Sequence, residues 1–109
     1  MAPHDPRLDE AVRRLVEALR PTRIVLFGSR ARGDAHEDSD YDLAVILESD
    51  RPWYERETAA YKALRGLGLP IEVTALTPTE LSKERGFPGA FGDDLERDGR
   101  VLYDAEERR

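Results

Sequence analysis

The residues best suited to chemistry lie together, between positions 26 and 47. Leu26-Phe27-Gly28-Ser29-Arg30-Ala31-Arg32-Gly33 leaves an apolar stretch and enters a turn. Ten residues separate Ser29 from Asp40-Tyr41-Asp42, which leads into Leu43-Ala44-Val45-Ile46-Leu47. Gly28 lets the backbone adopt positive φ and come close to an anion. Ser29 presents a hydroxyl where a helical turn begins, and the free N–H groups there favour negative charge. Arg30 and Arg32 add charged donors for phosphate oxygens. Asp40 and Asp42 share one side of an extended chain, roughly 7 Å apart. Carboxylates so placed can bind magnesium, whose other ligands are commonly phosphate oxygens. Two such ions about 4 Å apart would activate an attacking hydroxyl and stabilise a leaving pyrophosphate. The chemistry suggested is work on a nucleoside triphosphate.

Each piece also has a plain structural reading. A Gly-Ser pair is an ordinary turn, its arginines can be solvated, and two aspartates can simply head a strand. Yet aspartate is disfavoured in strands, and here two of them open an apolar one. The combination carries more weight than its parts.

The elements that must position these residues are legible from periodicity. Leu8, Ala11, Val12, Leu15, Val16 and Leu19 recur at helical spacing, which predicts a helix from about Pro6 to Arg20 with Asp5 as its cap. Arg23 to Phe27 reads as a buried central strand, and Ser29 to Arg32 as a helical turn. Gly33 to Ser39 is a polar loop, with Glu37, Asp38 and His36 expected to face solvent. Asp40 to Glu48 reads as the second strand, with Asp40, Asp42, Ala44 and Ile46 on one face. A helix is predicted from Arg51-Pro52 to about Leu67, with Ala60, Tyr61, Leu64 and Leu67 as its apolar stripe. Its leading aromatics, Trp53 and Tyr54, fit local packing or a protein interface.

Ile71 to Leu76 reads as a third strand, with Glu72, Thr74 and Leu76 on one face. Thr77-Pro78-Thr79-Glu80 is a capping box. Phe87, Phe91 and Leu95 predict a last helical segment that ends at Asp98-Gly99. Arg100 to Tyr103 reads as a final strand with Tyr103 packing, and Ala105 to Arg109 as a frayed tail. The expected architecture is one α/β domain spanning residues 1–109.

Composition narrows the function. The formal charge is -6, which argues against direct binding of nucleic acid. There is no cysteine, so no disulfide framework and no thiolate metal site is expected. His4 and His36 have no companions at metal-ligand spacing. No apolar run is long enough to span a membrane and the N-terminus lacks a signal-like stretch, so a cytoplasmic protein is expected. Asn and Gln are absent, and arginine far outnumbers the two lysines, Lys62 and Lys83. With 37% charged residues, that pattern predicts a thermophile protein.

Gly28-Ser29, the ten-residue gap and Asp40-x-Asp42 together resemble the signature of the DNA polymerase beta-type nucleotidyltransferase superfamily. The Gly-Ser-Arg-Ala-Arg-Gly and Ser-Asp-Tyr-Asp-Leu-Ala-Val wording is similar to its minimal members, the MNT domains. The resemblance spans nearly the whole chain. It implies a mixed β-sheet flanked by helices (α+β), ATP as substrate and magnesium bound by Asp40 and Asp42. It also implies that Gly28, Ser29, Arg30 and Arg32 hold the triphosphate.

The family further expects a third carboxylate, usually Asp, on a strand beside the pair; the matching position is Glu72. Glutamate carries its carboxylate further out, and a misplacement of about 1 Å can cost on the order of 100-fold in rate. Glu72 as a solvent-facing edge charge is the plain alternative.

Standalone members of this type resemble the antitoxin half of two-gene modules. The resemblance implies transfer of AMP to a tyrosine of a HEPN-domain ribonuclease toxin. The acceptor is expected to be a separate protein, in a homo- or hetero-oligomer, because larger relatives carry an acceptor domain for which 109 residues leave no room. The departure at Glu72 keeps a second role open, an antitoxin that inhibits its partner by masking alone.

Overall fold

Apolar residues at two periods, helical and alternating, build the fold. The computed structural model describes residues 5–84, 86 and 90–108. The first helix, α1 (Pro6–Leu19), starts on Asp5, whose side chain accepts the Arg7 N–H, and buries Leu8, Ala11 and Leu15. It is followed by β1 (Arg23–Phe27), α2 (Ser29–Arg32) and β2 (Tyr41–Ile46). Then come α3 (Trp53–Ala63), β3 (Ile71–Leu76), α4 (Pro78–Lys83), α5 (Phe91–Asp98) and β4 (Arg100–Asp104).

The strands form one sheet in the order β3-β2-β1-β4. β1 runs antiparallel to β2 and to β4, whereas β2 and β3 are parallel. The sheet is therefore mixed and flanked by helices, as expected. A parallel pair needs a crossover, and α3 supplies it.

Alternation along the strands divides the core in two. On one face Ile24, Leu26, Leu43, Val45, Val73 and Ala75 pack with Leu8, Ala11, Leu15, Ala60 and Leu64. On the other, Val25, Ala44 and Ile46 pack with Leu81 and Leu95, and Phe27, Leu76 and Phe91 lie at the margin. The second cluster covers only part of its face, and Asp42 stands on that face where the cover ends.

Some expectations need correction. Asp40 lies just before β2, not inside it, and α3 is shorter at both ends than the periodicity predicts. Tyr61 is not part of the stripe of α3. It is exposed, and its hydroxyl accepts the Val73 N–H at 2.9 Å. Glu57 Oε2 likewise accepts the Ala75 N–H at 3.2 Å. The two side chains occupy donors on the open side of β3, which blunts an edge strand against unwanted pairing. Ala105–Arg108 forms a short 3-10 turn in place of a frayed tail, with the Ala105 N–H donating to the Thr22 carbonyl at 2.9 Å. Trp53 and Tyr54 are exposed and meet edge to face. Tyr103 packs against the main core and His36 is exposed, as expected. The expectations for His4 and Phe87 lie outside the described residues.

A buried cation ties the crossover to the second face. Arg56 is 3% exposed, and its guanidinium donates to both Glu80 oxygens at 2.8 and 3.0 Å. Glu80 Oε1 also accepts the Thr77 N–H at 2.9 Å, completing the capping box of α4. Arg56 and the Thr77 N–H hold the Glu80 carboxyl down from 4.5 to about 2. Unfolded, it takes up its proton near 4.5; folded, only near 2. Its stabilisation is whole above the first value and is lost as pH falls toward the second. Glu80→Ala should lower the unfolding free energy by roughly 2–3 kcal/mol at neutral pH, because it leaves a buried guanidinium unpaired. Urea titrations at pH 7 and pH 3 should show the gap between wild type and Glu80→Gln narrowing in acid.

Candidate active site

The site is built at the end of the β1–β2 hairpin. Gly28 has φ 73° and ψ −159°, a conformation open in practice to glycine. A Cβ there would overlap Asp42 Oδ2 and lie 3.1 Å from its Cγ. Glycine is thus required twice, by the backbone and by the carboxylate against it. The Gly28 carbonyl accepts the N–H groups of Ala31 and Arg32, both at 3.1 Å, and so starts α2 with Ser29 at its head.

Register then sets the carboxylates. Asp42 pairs with Phe27 on one side and with Glu72 on the other. Directly paired residues in a sheet point to the same face, so the two acids stand side by side. Asp42 is half-buried, while Glu72 and Asp40 are exposed. Partial burial pushes the Asp42 carboxyl up, the charges of Glu72 and Asp40 push it further, and Arg32 opposes them. The structure therefore brings Gly28, Ser29, Arg32, Asp40, Asp42 and Glu72 to one place.

Arg30 has different company. Its Nη2 donates to the Ser39 carbonyl at 2.9 Å and the Glu37 carbonyl at 3.2 Å, and Nε to Ser39 at 3.3 Å. Its guanidinium carbon lies 4.4 Å from the Tyr41 ring centroid, a cation–π contact. Arg30 thereby ties α2 to the loop and the strand head that carry the aspartates. Arg32 makes a loose contact with Asp34 at 3.4 Å and keeps much of its surface accessible.

Sequence reasoning missed two contributions. Arg100, on β4, donates from Nε to the Ala31 carbonyl at 3.1 Å and braces α2 from 69 residues away. One side of α5 also faces the turn: Phe91, Asp94, Leu95 and Asp98 line a cavity together with Phe27, Gly28 and Arg32. Their helical spacing could be read, but nothing local said what it faced.

Among the described residues, no three His, Cys, Asp or Glu side chains already converge as a metal cage. The donors nevertheless suit a hard divalent cation, being carboxylate oxygens only. Asp42 and Glu72 are directly paired and their charges repel, and a cation would relieve that repulsion. The residues fit the ion in the chemistry of their donors, with Asp40 two residues before Asp42 as a further carboxylate.

Comparisons with known proteins agree with this arrangement. A family model described as a nucleotidyltransferase domain matches residues 6–100. The chain belongs to that family. It is 30% identical over 101 residues to a Methanocaldococcus jannaschii protein named "Putative protein adenylyltransferase", covering 87% of this chain and 97% of that one. Among solved structures it resembles a nucleotidyltransferase, so named with the same qualifier, from Sulfolobus solfataricus. That match has a TM-score of 0.68 at 19% identity and covers 94% of this chain and 81% of the other. A toxin–antitoxin crystallised with AMP-PNP matches with a TM-score of 0.63 at 20% identity, covering 92% and 76%. A mutant of the toxin–antitoxin MntA-HpeT matches with a TM-score of 0.59 at 18% identity, covering 98% and 77%. These structural likenesses establish a shared fold.

The raised Asp42 carboxyl has a consequence for stability. An unfolded aspartate ionises first as pH rises, so the folded form holds its proton longer and loses stability with increasing pH. Asp42→Asn should therefore be more stable than wild type at pH 7 in EDTA. Urea midpoints should show that advantage shrinking as the pH falls toward 3.8 and lost below it, where the carboxyl is protonated in both states.

Proposed function

We propose that this chain is a nucleotidyltransferase-type antitoxin that transfers AMP from ATP to a tyrosine hydroxyl of a HEPN-domain ribonuclease toxin. The observation that carries the reading is the pairing of Asp42 with Glu72 beside the Gly28–Ser29 turn. The relative named as a protein adenylyltransferase supports the reaction class. The two toxin–antitoxin structures, one of them with AMP-PNP, support the biological setting.

Gly28 and Ser29 receive the triphosphate, with Arg32 supplying a charged donor. Arg30 acts differently in this proposal. Its bonds to the loop carbonyls hold Asp40 and Asp42 in place, so it positions them without reaching phosphate. Asp40, Asp42 and Glu72 would hold the divalent cation, magnesium. Bound there, the ion supplies Lewis-acid polarisation of the α-phosphate and offsets charge on the leaving group.

The tyrosine oxygen bonds to the α-phosphorus as the bond to the bridging oxygen breaks, and pyrophosphate leaves. The hydroxyl proton passes to a carboxylate, with exposed Glu72 the accessible member of the pair.

The test is transfer of label from α-labelled ATP to the co-expressed toxin, read with mass spectrometry of that toxin. Wild type should add one AMP, and Asp42→Ala should reduce transfer to background. An inhibited toxin without added nucleotide would mean masking and would overturn the catalytic reading. The two arginines should separate in the same assay. Arg32→Gln should raise KM for ATP about tenfold, the effect of losing one charge-assisted bond. Arg30→Gln should lower kcat by about 10–100-fold with KM little changed, as misplacement of the carboxylates does.

A further inference from the structure

The cavity beside the turn has a composition that phosphate does not explain. It holds about 380 Å³ and is lined by Phe27, Gly28, Arg32, Phe91, Asp94, Leu95, Arg97 and Asp98. That volume is within the roughly 300–1,000 Å³ usual for small-molecule sites. Phe91, Asp94, Leu95 and Asp98 fall at helical spacing on one side of α5, and Leu95 anchors that side in the second core. Phe27 and Phe91 meet edge to face with centroids 5.1 Å apart, an aromatic wall left half-exposed. Asp94 and Asp98 are each salt-bridged to Arg97, at 2.8 and 3.0 Å, and still keep part of their surface accessible.

Carboxylates repel phosphate but accept hydrogen bonds from hydroxyl and amino groups. Aromatic walls favour a flat ring. The cavity therefore suits a group that offers a π-face together with neutral donors. It is also continuous with the site, because Gly28 and Arg32 belong to both. Arg32, on α2 next to the turn, lines the cavity together with Asp98 of α5.

We propose that the cleft between α2 and α5 seats the nucleoside of the triphosphate, with Phe91 against the base and Asp94 and Asp98 accepting from ribose hydroxyls or an exocyclic amine. This rests on the reading of Gly28, Ser29 and Arg32 as the phosphate site, and it assigns the remainder of the same ligand. Bases that carry an exocyclic amine, adenine, cytosine and guanine, are preferred over uracil on this account.

The test compares two probes on the intact protein, ATP and inorganic tripolyphosphate, both with magnesium, by calorimetric titration. The nucleoside should make ATP bind at least about tenfold tighter than tripolyphosphate, the effect of one stacked ring. Phe91→Leu, which keeps an apolar side chain but removes the ring, should bring the two affinities together and leave tripolyphosphate unchanged. Asp94→Ala changes only a partly exposed side chain and covers the case in which the first variant misfolds. Loss of that charge helps both anions alike, so the readout is the ratio, which should fall. Equal affinity of wild type for the two probes, or a ratio unmoved by both variants, overturns the nucleoside cleft and leaves the phosphate reading standing. Failure of wild type to bind either probe overturns both.

Discussion

Asp42 sits where two kinds of strand pairing meet, and most of the structure serves that meeting. On one side it faces Phe27 across an antiparallel pair, and on the other Glu72 across a parallel one. Both pairings must hold register, because a slip of one residue would turn the carboxylate to the opposite face. The helices α1 and α3 grip alternate residues of all three strands from below, and Val25, Ala44 and Ile46 are held from above by α4 and α5. Core packing and site assembly are thus the same constraint, applied at alternate residues.

Holding like charges together costs stability, and the cost is local. Asp42 is half-buried beside another acid, and the glycine it touches is in a conformation that side chains avoid. Bracing accumulates around this point. Arg30 fastens the loop before β2, Arg100 fastens the end of α2, and the Arg56–Glu80 pair joins the crossover helix to the capping box of α4. Strain and unfavourable charge of this kind cluster at functional sites.

The cleft beside the turn extends the same logic. α5 returns late in the chain to lie against the first hairpin, with β4 immediately after it along the outer side of β1. The site therefore draws on both ends of the described chain. Residues that look like solvated charges in isolation, Asp94 and Asp98, become walls once the helix is placed.

Local rules were enough to read most of the elements. Strand faces follow a period of two and helix faces a period near four, so β1, β3, α2 and the α4 capping box were legible with their bounds. The motif of Gly28, Ser29, Asp40 and Asp42 was legible for a similar reason, since hairpin neighbours lie close in the chain. Tyr61 misled because its ring fits the apolar stripe, whereas its hydroxyl finds an edge N–H. The helical turn after β4 was missed because a backbone bond to Thr22 anchors it.

What the sequence determined by itself was the set of chemical groups and the hairpin that carries them. The family resemblance pointed to Glu72, but tertiary structure set its register against Asp42, and it alone decided that Arg30 is occupied by loop carbonyls and that α5 walls a cleft at Gly28. The physical reason is separation along the chain. Register and helix placement are settled by packing among distant residues, and no local pattern encodes which distant residue will arrive.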